Sequence, residues 1–265
     1  MVGSKKYHWL PSFIIVSTLL FFYLPIIIMM VFSFNDSRSL TNYTGFSLQW
    51  YQGLFKSREA IAAVTTTIVI ALISTLISTF VGTITAIGLS KNKKIIRDLV
   101  LTLNDFPILN PEIVTAIGFM LLFSAFSFQR GFTTMLLAHI SFSIPYVILS
   151  LLPKLRSLDP NLAEAAMDLG ATPWQALTKV IVPQITPAIF AGALIAFTMS
   201  FDDFVISYFV TGGGVKNISI LVYTMSKRIN PTINALSTIL IVIITVVLLV
   251  VNLIPQPKKK ERRSY

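Results

Sequence analysis

Apolar residues fall along this chain in long runs, with the charged residues gathered between them. Uncharged or nearly uncharged stretches at about 10–34, 62–89, 99–127, 132–153, 183–209 and 233–254 each reach the roughly 20 residues that an α-helix needs to cross a bilayer. The ten-residue alternation of a barrel strand is absent, and backbone polar groups within lipid are satisfied internally only by helices or closed barrels. The pattern predicts an all-α, polytopic membrane protein with six transmembrane helices, in a single transmembrane domain over residues 1–265. The third stretch is interrupted by Pro107 and Pro111 and contains Asp105 and Glu112, so its length allows one broken or tilted helix. The first run follows Lys5 and Lys6 as a signal peptide would. It is too long for one, however, and no small-residue cleavage site follows it, so it is expected to remain as an uncleaved first span.

One polar island stands out between these runs: Asp159 to Pro183, DPNLAEAAMDLGATPWQALTKVIVP. Asp159 is suited to accept from the free N–H groups of a first helix, with Pro160 at its first position, where no N–H is needed. Gly170 supplies a left-handed stop. Thr172, Pro173 and Gln175 then repeat the logic as a T-x-x-Q capping box. A simple connector between two spans needs neither cap, and the loop 159–182 is expected to be a helix–turn–helix surface offered to a partner.

Composition sets the orientation and removes several functions. The chain is 54% hydrophobic and 12% charged, with a net charge of +10. Fourteen of the 21 Lys and Arg residues lie in one set of loops and termini (residues 5–6, 91–97, 154–156, 179 and 258–263) and seven in the other. The positive-inside rule then places both termini, the 90–98 loop and the 159–182 loop in the cytoplasm. The tail KKKERR fits anchoring on anionic membrane lipid better than it fits nucleic acid. There is no cysteine, so no disulfide framework. No phosphate-binding loop is present, and the glycines at 212–214 lack a strand-to-helix context. His8 and His139 have no partner at ligand spacing, and His139 fits a helix–helix hydrogen-bond donor. No metal, cofactor or nucleophile is expected, and the chain is expected to be non-catalytic. Trp50, Tyr51, Tyr208, Phe209 and Tyr223 fit an aromatic belt at the outer boundary.

Ionisable groups within spans are costly and mark function. Here they are Asp105, Glu112, Asp202 and Asp203, all acidic, with no Lys or Arg deep in any span. Water, protonation, a partner chain or a cationic substrate must compensate them. Asp105 fits a residue that snorkels or caps a helix near the cytoplasmic side. Asp203 lies on a stripe of small residues and also fits a helix–helix partner, although it neighbours Asp202. Glu112 and Asp202 are the stronger candidates for a substrate path. Proton relay is the alternative use of the same carboxylates.

Two sets of residues carry a resemblance. Glu164-Ala165-Ala166, three residues, Gly170, nine residues, then Val180-x-Val182-Pro183 resembles the EAA loop of bacterial ABC importer permeases, with valines in place of Ile and Leu. The strings YLPIIIMMVFSFNDS, NPEIVTAIG, FTMSFDDFVISYFVTG and NALSTIL resemble the PotC-type permeases of spermidine/putrescine importers, over nearly the whole chain. The resemblance implies the type I ABC importer permease fold in a bacterial inner membrane. It implies that Glu164, Ala165, Ala166 and Gly170 belong to a coupling helix that docks on an ATPase. It also implies that Glu112, where the family usually has Asp, and Asp202 serve polyamine uptake. The partners implied are two copies of a cytoplasmic ABC ATPase, a second homologous permease and an extracytoplasmic polyamine-binding protein. A permease of the same class for another solute is one alternative. A proton-coupled secondary carrier is another, opposed by the capped loop and by the lack of an evident inverted repeat.

Overall fold

The computed structural model describes residues 9–39, 41–227 and 230–253. The terminal lysines, His8, Arg228 and the basic tail, and with them the two termini used for orientation, lie outside the described residues. Within these, the chain is helical: α1 Trp9–Phe32, α2 Gln49–Lys56, α3 Arg58–Ser90, α4 Lys94–Leu109, α5 Glu112–Ala125, α6 Phe132–Arg156 and α7 Leu162–Asp168. A single turn, α8 Pro173–Gln175, runs through a π-helical stretch Ala176–Ile181 into α9 Val182–Asp202, followed by α10 Val205–Val210, α11 Ile218–Ser226 and α12 Thr232–Leu253. Among the described residues no strand forms beyond one isolated antiparallel bridge, Asn35 to Phe46.

Among the described residues, four helical segments are long and apolar enough to cross a bilayer: Pro11–Phe32, Arg58–Ser90, Phe132–Arg156 and Pro173–Asp202. The third sequence stretch is a pair of helices, α4 and α5, bent by 106°. The break has a local cause. Proline disfavours the helical conformation in the residue before it, and Asn110 is extended (φ −76°, ψ 144°) ahead of Pro111. The apolar part of α12, Thr232–Val246, is shorter than the other spans.

The fifth stretch departs from expectation. It does not run unbroken from 183 to 209, but stops at Asp202 and restarts at Val205. Asp203 takes an extended conformation (φ −57°, ψ 128°). Its carboxylate accepts from the N–H groups of Ile206 (3.3 Å) and Ser207 (2.8 Å), starting α10 with a side chain in place of the preceding turn. At the other end of α9, Pro183 withholds the N–H that the carbonyl of Lys179 would accept in a regular α-helix, and the π-helical stretch lies at this point.

The chain forms two compact units, Glu59–Tyr223 and the described residues before and after it. In the smaller unit α12 packs on α1 and α2. Buried Asn35 there organises the turn after α1: its amide donates to the carbonyls of Ser39 (3.1 Å) and Asn42 (2.9 Å), and its Oδ1 accepts from the Thr44 N–H (2.9 Å). No part of α1's spanning window is buried, and Phe21 is 75% exposed.

The larger unit is built on α6. Val147, Ile148 and Leu151 pack with Ala86 and Leu89 of α3 and with Ile185 and Ala196 of α9. A second cluster joins Met135, Ala138 and Phe142 of α6 to Ala116 and Phe123 of α5, Ile206 and Val210 of α10 and Ile70 of α3. Glycine permits the closest approaches, as small residues do between membrane helices. A Cβ on Gly82 would stand 2.7 Å from Val147 Cγ1, and one on Gly192 would stand 3.4 Å from Val147 Cα.

Candidate functional site

The two helix breaks of the larger unit bring three of the acids together. Glu112 is the first residue of α5 and Asp202 the last of α9, with Asp203 in the break that follows. The Glu112 carboxyl is close enough to Asp203 and Asp202 to feel their charges, and the Tyr146 phenol lines the same cavity as Glu112. Pro107, Asn110, Glu112, Thr115, Phe142, Tyr146, Met199 and Ile206 line a cavity of about 200 Å³ beside the cluster. Irregular backbone at membrane depth is tolerated where it is buried in protein or lines a cavity, and both breaks meet that condition.

The three acids differ in setting. Glu112 and Asp202 are exposed, whereas Asp203 is 5% exposed. Neither Glu112 nor Asp202 has a Lys or Arg in ion-pair contact among the described residues. Glu112 sits at the positive end of the α5 dipole, which eases its charge. Asp202 sits at the negative end of α9, so its carboxylate adds to the helix end instead of offsetting it. Together they concentrate negative charge at the two breaks, with no basic side chain in ion-pair contact among the described residues. Asp105 is not at a helix end as expected. It lies inside α4, and its Oδ1 is buried without a hydrogen-bond partner among the described residues.

Asp203 belongs to a buried polar network that the sequence did not disclose. Its Oδ2 accepts from the Ser207 hydroxyl at 2.6 Å and lies 3.4 Å from His139 Nε2. His139 bonds Ser200 through Nδ1 (2.7 Å) and Ser207 through Nε2 (2.9 Å), and Ser200 meets Ser74 of α3 at 2.9 Å. Asn217, ahead of α11, donates to the Asp203 carbonyl (2.8 Å) and to Ser207 Oγ (2.9 Å). The partner that Asp203 lacks nearby in sequence is thus a histidine 64 positions away. The sequence offered the two halves separately, His139 as a helix–helix hydrogen-bond donor and Asp203 on a stripe of small residues, without pairing them. Tyr146 was likewise overlooked, as one aromatic among many.

The polar island folds as two short helices about a turn. α7 begins at Leu162, two residues later than the start expected at Pro160. The Asp159 Oδ1 instead accepts from the Asn161 N–H at 2.9 Å, closing a local side-chain turn before the helix starts. Gly170 has φ +88°. Thr172 and Gln175 form the reciprocal capping box, at 3.3 and 3.0 Å. Glu164 and Ala165 are exposed and Ala166 is half-buried, while Ala163 faces the core. Unforeseen were two large apolar side chains left in the open here: Leu169, 90% exposed, and Trp174, 71% exposed.

Over residues 78–256, which take in both the acid cluster and the polar loop, the sequence matches the family of binding-protein-dependent transport system inner membrane components. The chain belongs to that family. This permease is 36% identical to the spermidine/putrescine transport system permease protein PotC of Escherichia coli strain K12, over 91% of each chain. It is 35% identical to the putrescine transport system permease protein PotI of the same strain, over 83% of this chain and 82% of that one. A PotC homolog of Mycoplasma genitalium is 32% identical, over 91% of this chain and 89% of the relative. Among solved structures, the permease resembles a bacterial ABC transporter involved in the import of the acidic polysaccharide alginate. The TM-score is 0.71 at 16% identity, covering 97% of this chain and all of that one. A bacterial alginate ABC transporter in complex with a pentasaccharide-bound periplasmic protein matches at TM-score 0.66 and 19% identity, over 93% of each chain. The fold of this permease is therefore the all-helical one of ABC importer permeases.

Proposed function

We propose that this permease forms half of the translocation path of an ATP-driven importer for polyamines such as spermidine and putrescine, and that Glu112 and Asp202 line the path. The observation that carries the reading is the pairing of two exposed carboxylates at two helix breaks with no basic partner among the described residues. A protonated amine leaving water needs negative or strongly polar partners. Attraction between unit charges at 4 Å is about 4 kcal/mol at an effective dielectric of 20, against about 1 kcal/mol in bulk water. Two separated carboxylates suit a flexible chain with spaced positive charges, and Tyr146 and Phe142 offer aromatic faces beside them. The names of the PotC and PotI relatives support the same solutes.

The remaining parts follow from the same reading. The whole chain acts as one transmembrane domain of six spans in a bacterial inner membrane, both termini in the cytoplasm. It pairs with a second homologous permease, two copies of a cytoplasmic ABC ATPase and an extracytoplasmic polyamine-binding protein. The exposed Glu164, Leu169 and Trp174 surface, turned at Gly170, is the face that meets the ATPase. The chain performs no chemistry of its own.

The test is uptake of each polyamine by the reconstituted complex. Glu112→Gln and Asp202→Asn are each expected to reduce it about tenfold or more, since about 1.4 kcal/mol corresponds to a factor of ten. Binding to the extracytoplasmic protein is expected to be unchanged. Parental rates in both variants would refute the acidic path.

A further inference from the structure

We propose that His139 is a positioning residue: with Ser200, Ser207 and Asp203 it latches the α9–α10 break, and so fixes where the Asp202 carboxylate stands. Asp203 then serves the site through the backbone instead of as a ligand for the cation. The inference rests on the reading of Asp202 as a path residue.

The latch follows from the geometry. A break leaves α10 with free N–H groups and gives the chain freedom at Asp203 and Phe204. Five contacts remove that freedom. Asp203 holds the N–H groups of Ile206 and Ser207, and Asn217 holds the Asp203 carbonyl. His139, on neighbouring α6, reaches both sides of the break at once, Ser200 before it at 2.7 Å and Ser207 after it at 2.9 Å. All of these side chains are buried, His139 to 1% exposure and Ser207 to 0%.

Proton counting orients the chain of bonds. Ser207 has one hydroxyl proton, and Asp203 Oδ2 receives it at 2.6 Å. Ser207 Oγ must then accept from both Asn217 Nδ2 and His139 Nε2. A network satisfied in this way at Ser207 resists displacement, because any slip there leaves a donor or a carboxylate oxygen without a partner in a low dielectric. Asp202, next in the chain, has its side chain exposed and its carbonyl met by the Ser219 hydroxyl at 3.2 Å. Its direction is set by a frame in which it takes no side-chain part.

The experiment reads the position of the carboxylate without transport. The chain has no cysteine, so Ser219→Cys provides a single thiol beside Asp202. In the full complex, the ratio of its reaction rates with a cationic and an anionic thiosulfonate of equal size reports the nearby negative charge. Asp202→Asn sets the floor of that ratio. His139→Leu is expected to lower it on the order of threefold to tenfold, the range of coupling in one hydrogen-bonded network. In the Asp202→Asn background, His139→Leu is expected to lower it no further. His139→Gln, which keeps a polar group at the position, is expected to recover part of the ratio. If His139→Leu is not recovered from the membrane, Ser200→Ala decides, since it removes only one hydroxyl from the latch. A parental ratio in His139→Leu, or in Ser200→Ala where that variant decides, would overturn the proposal. Uptake measured alongside separates the two readings: indifference of uptake to Asp202→Asn would sink the acidic path and leave the latch standing.

Discussion

Gly170 shows how one residue's conformational range serves a larger surface. A Cβ built there meets nothing within 4 Å, so space is not the constraint; the φ of +88° is. Left-handed backbone costs an L-residue about 1–2 kcal/mol, least for Asn and most for a β-branched side chain. In the reconstituted complex, transport per ATP hydrolysed is therefore expected to fall in the order Gly170, Gly170→Asn, Gly170→Val. Glu164→Lys, which reverses an exposed charge without touching the fold, is expected to lower the same ratio. Equal ratios in all of these variants would reduce the loop to a connector. Asp202 and Asp203 mark the limit of reading single residues. Neighbours of identical chemistry, they differ in exposure because one ends a helix while the other starts the next.

The helices legible from the sequence were those whose signal is local. Length and hydropathy outlined α1, α3, α6 and α12 within a few residues, and the Thr172–Gln175 box and the Gly170 stop were visible as spacing. The breaks were harder. Pro111 announced the first, and its 106° bend came from the extended Asn110 that a proline imposes. The second, after Asp202, has no proline or glycine to announce it. It depends on a side chain capturing two N–H groups within a network whose members come from four other elements, and no window of sequence contains them. Close packing was also out of reach, since nothing local tells which glycine meets which helix. At Gly82 this gives a sharp test. Gly82→Ala puts a methyl 2.7 Å from Val147 and is expected to destabilise the purified chain by about 1–3 kcal/mol, read as a lower midpoint in thermal unfolding. Adding Val147→Ala should restore part of the loss, and a double variant worse than both singles would place the clash elsewhere.

At the scale of the whole molecule, charge predicts orientation. By the positive-inside rule, the 14-to-7 division of basic residues is expected to set the 90–98 and 159–182 loops on one side and 35–59 and 211–232 on the other. Single cysteines introduced into the cysteine-free chain at Lys91 and Lys179 are expected to resist a membrane-impermeant reagent in intact cells and to react after lysis. Cysteines at Arg38 and Gly213 should react in both. Reaction of the Lys179 position from outside would end the importer reading, because a loop on that side cannot meet a cytoplasmic ATPase.

The π-helical stretch Ala176–Ile181 has a mechanical consequence. It lies on one continuous shaft with the Gly170 turn at one end and Asp202 at the other. A π turn holds one residue more than the α turn it replaces. Passing that residue along the shaft would rotate the segment it crosses by about 100° and shift it by about 1.5 Å. The shaft thus carries a spare residue by which side chains on one stretch of it can change heading while its two ends keep their register.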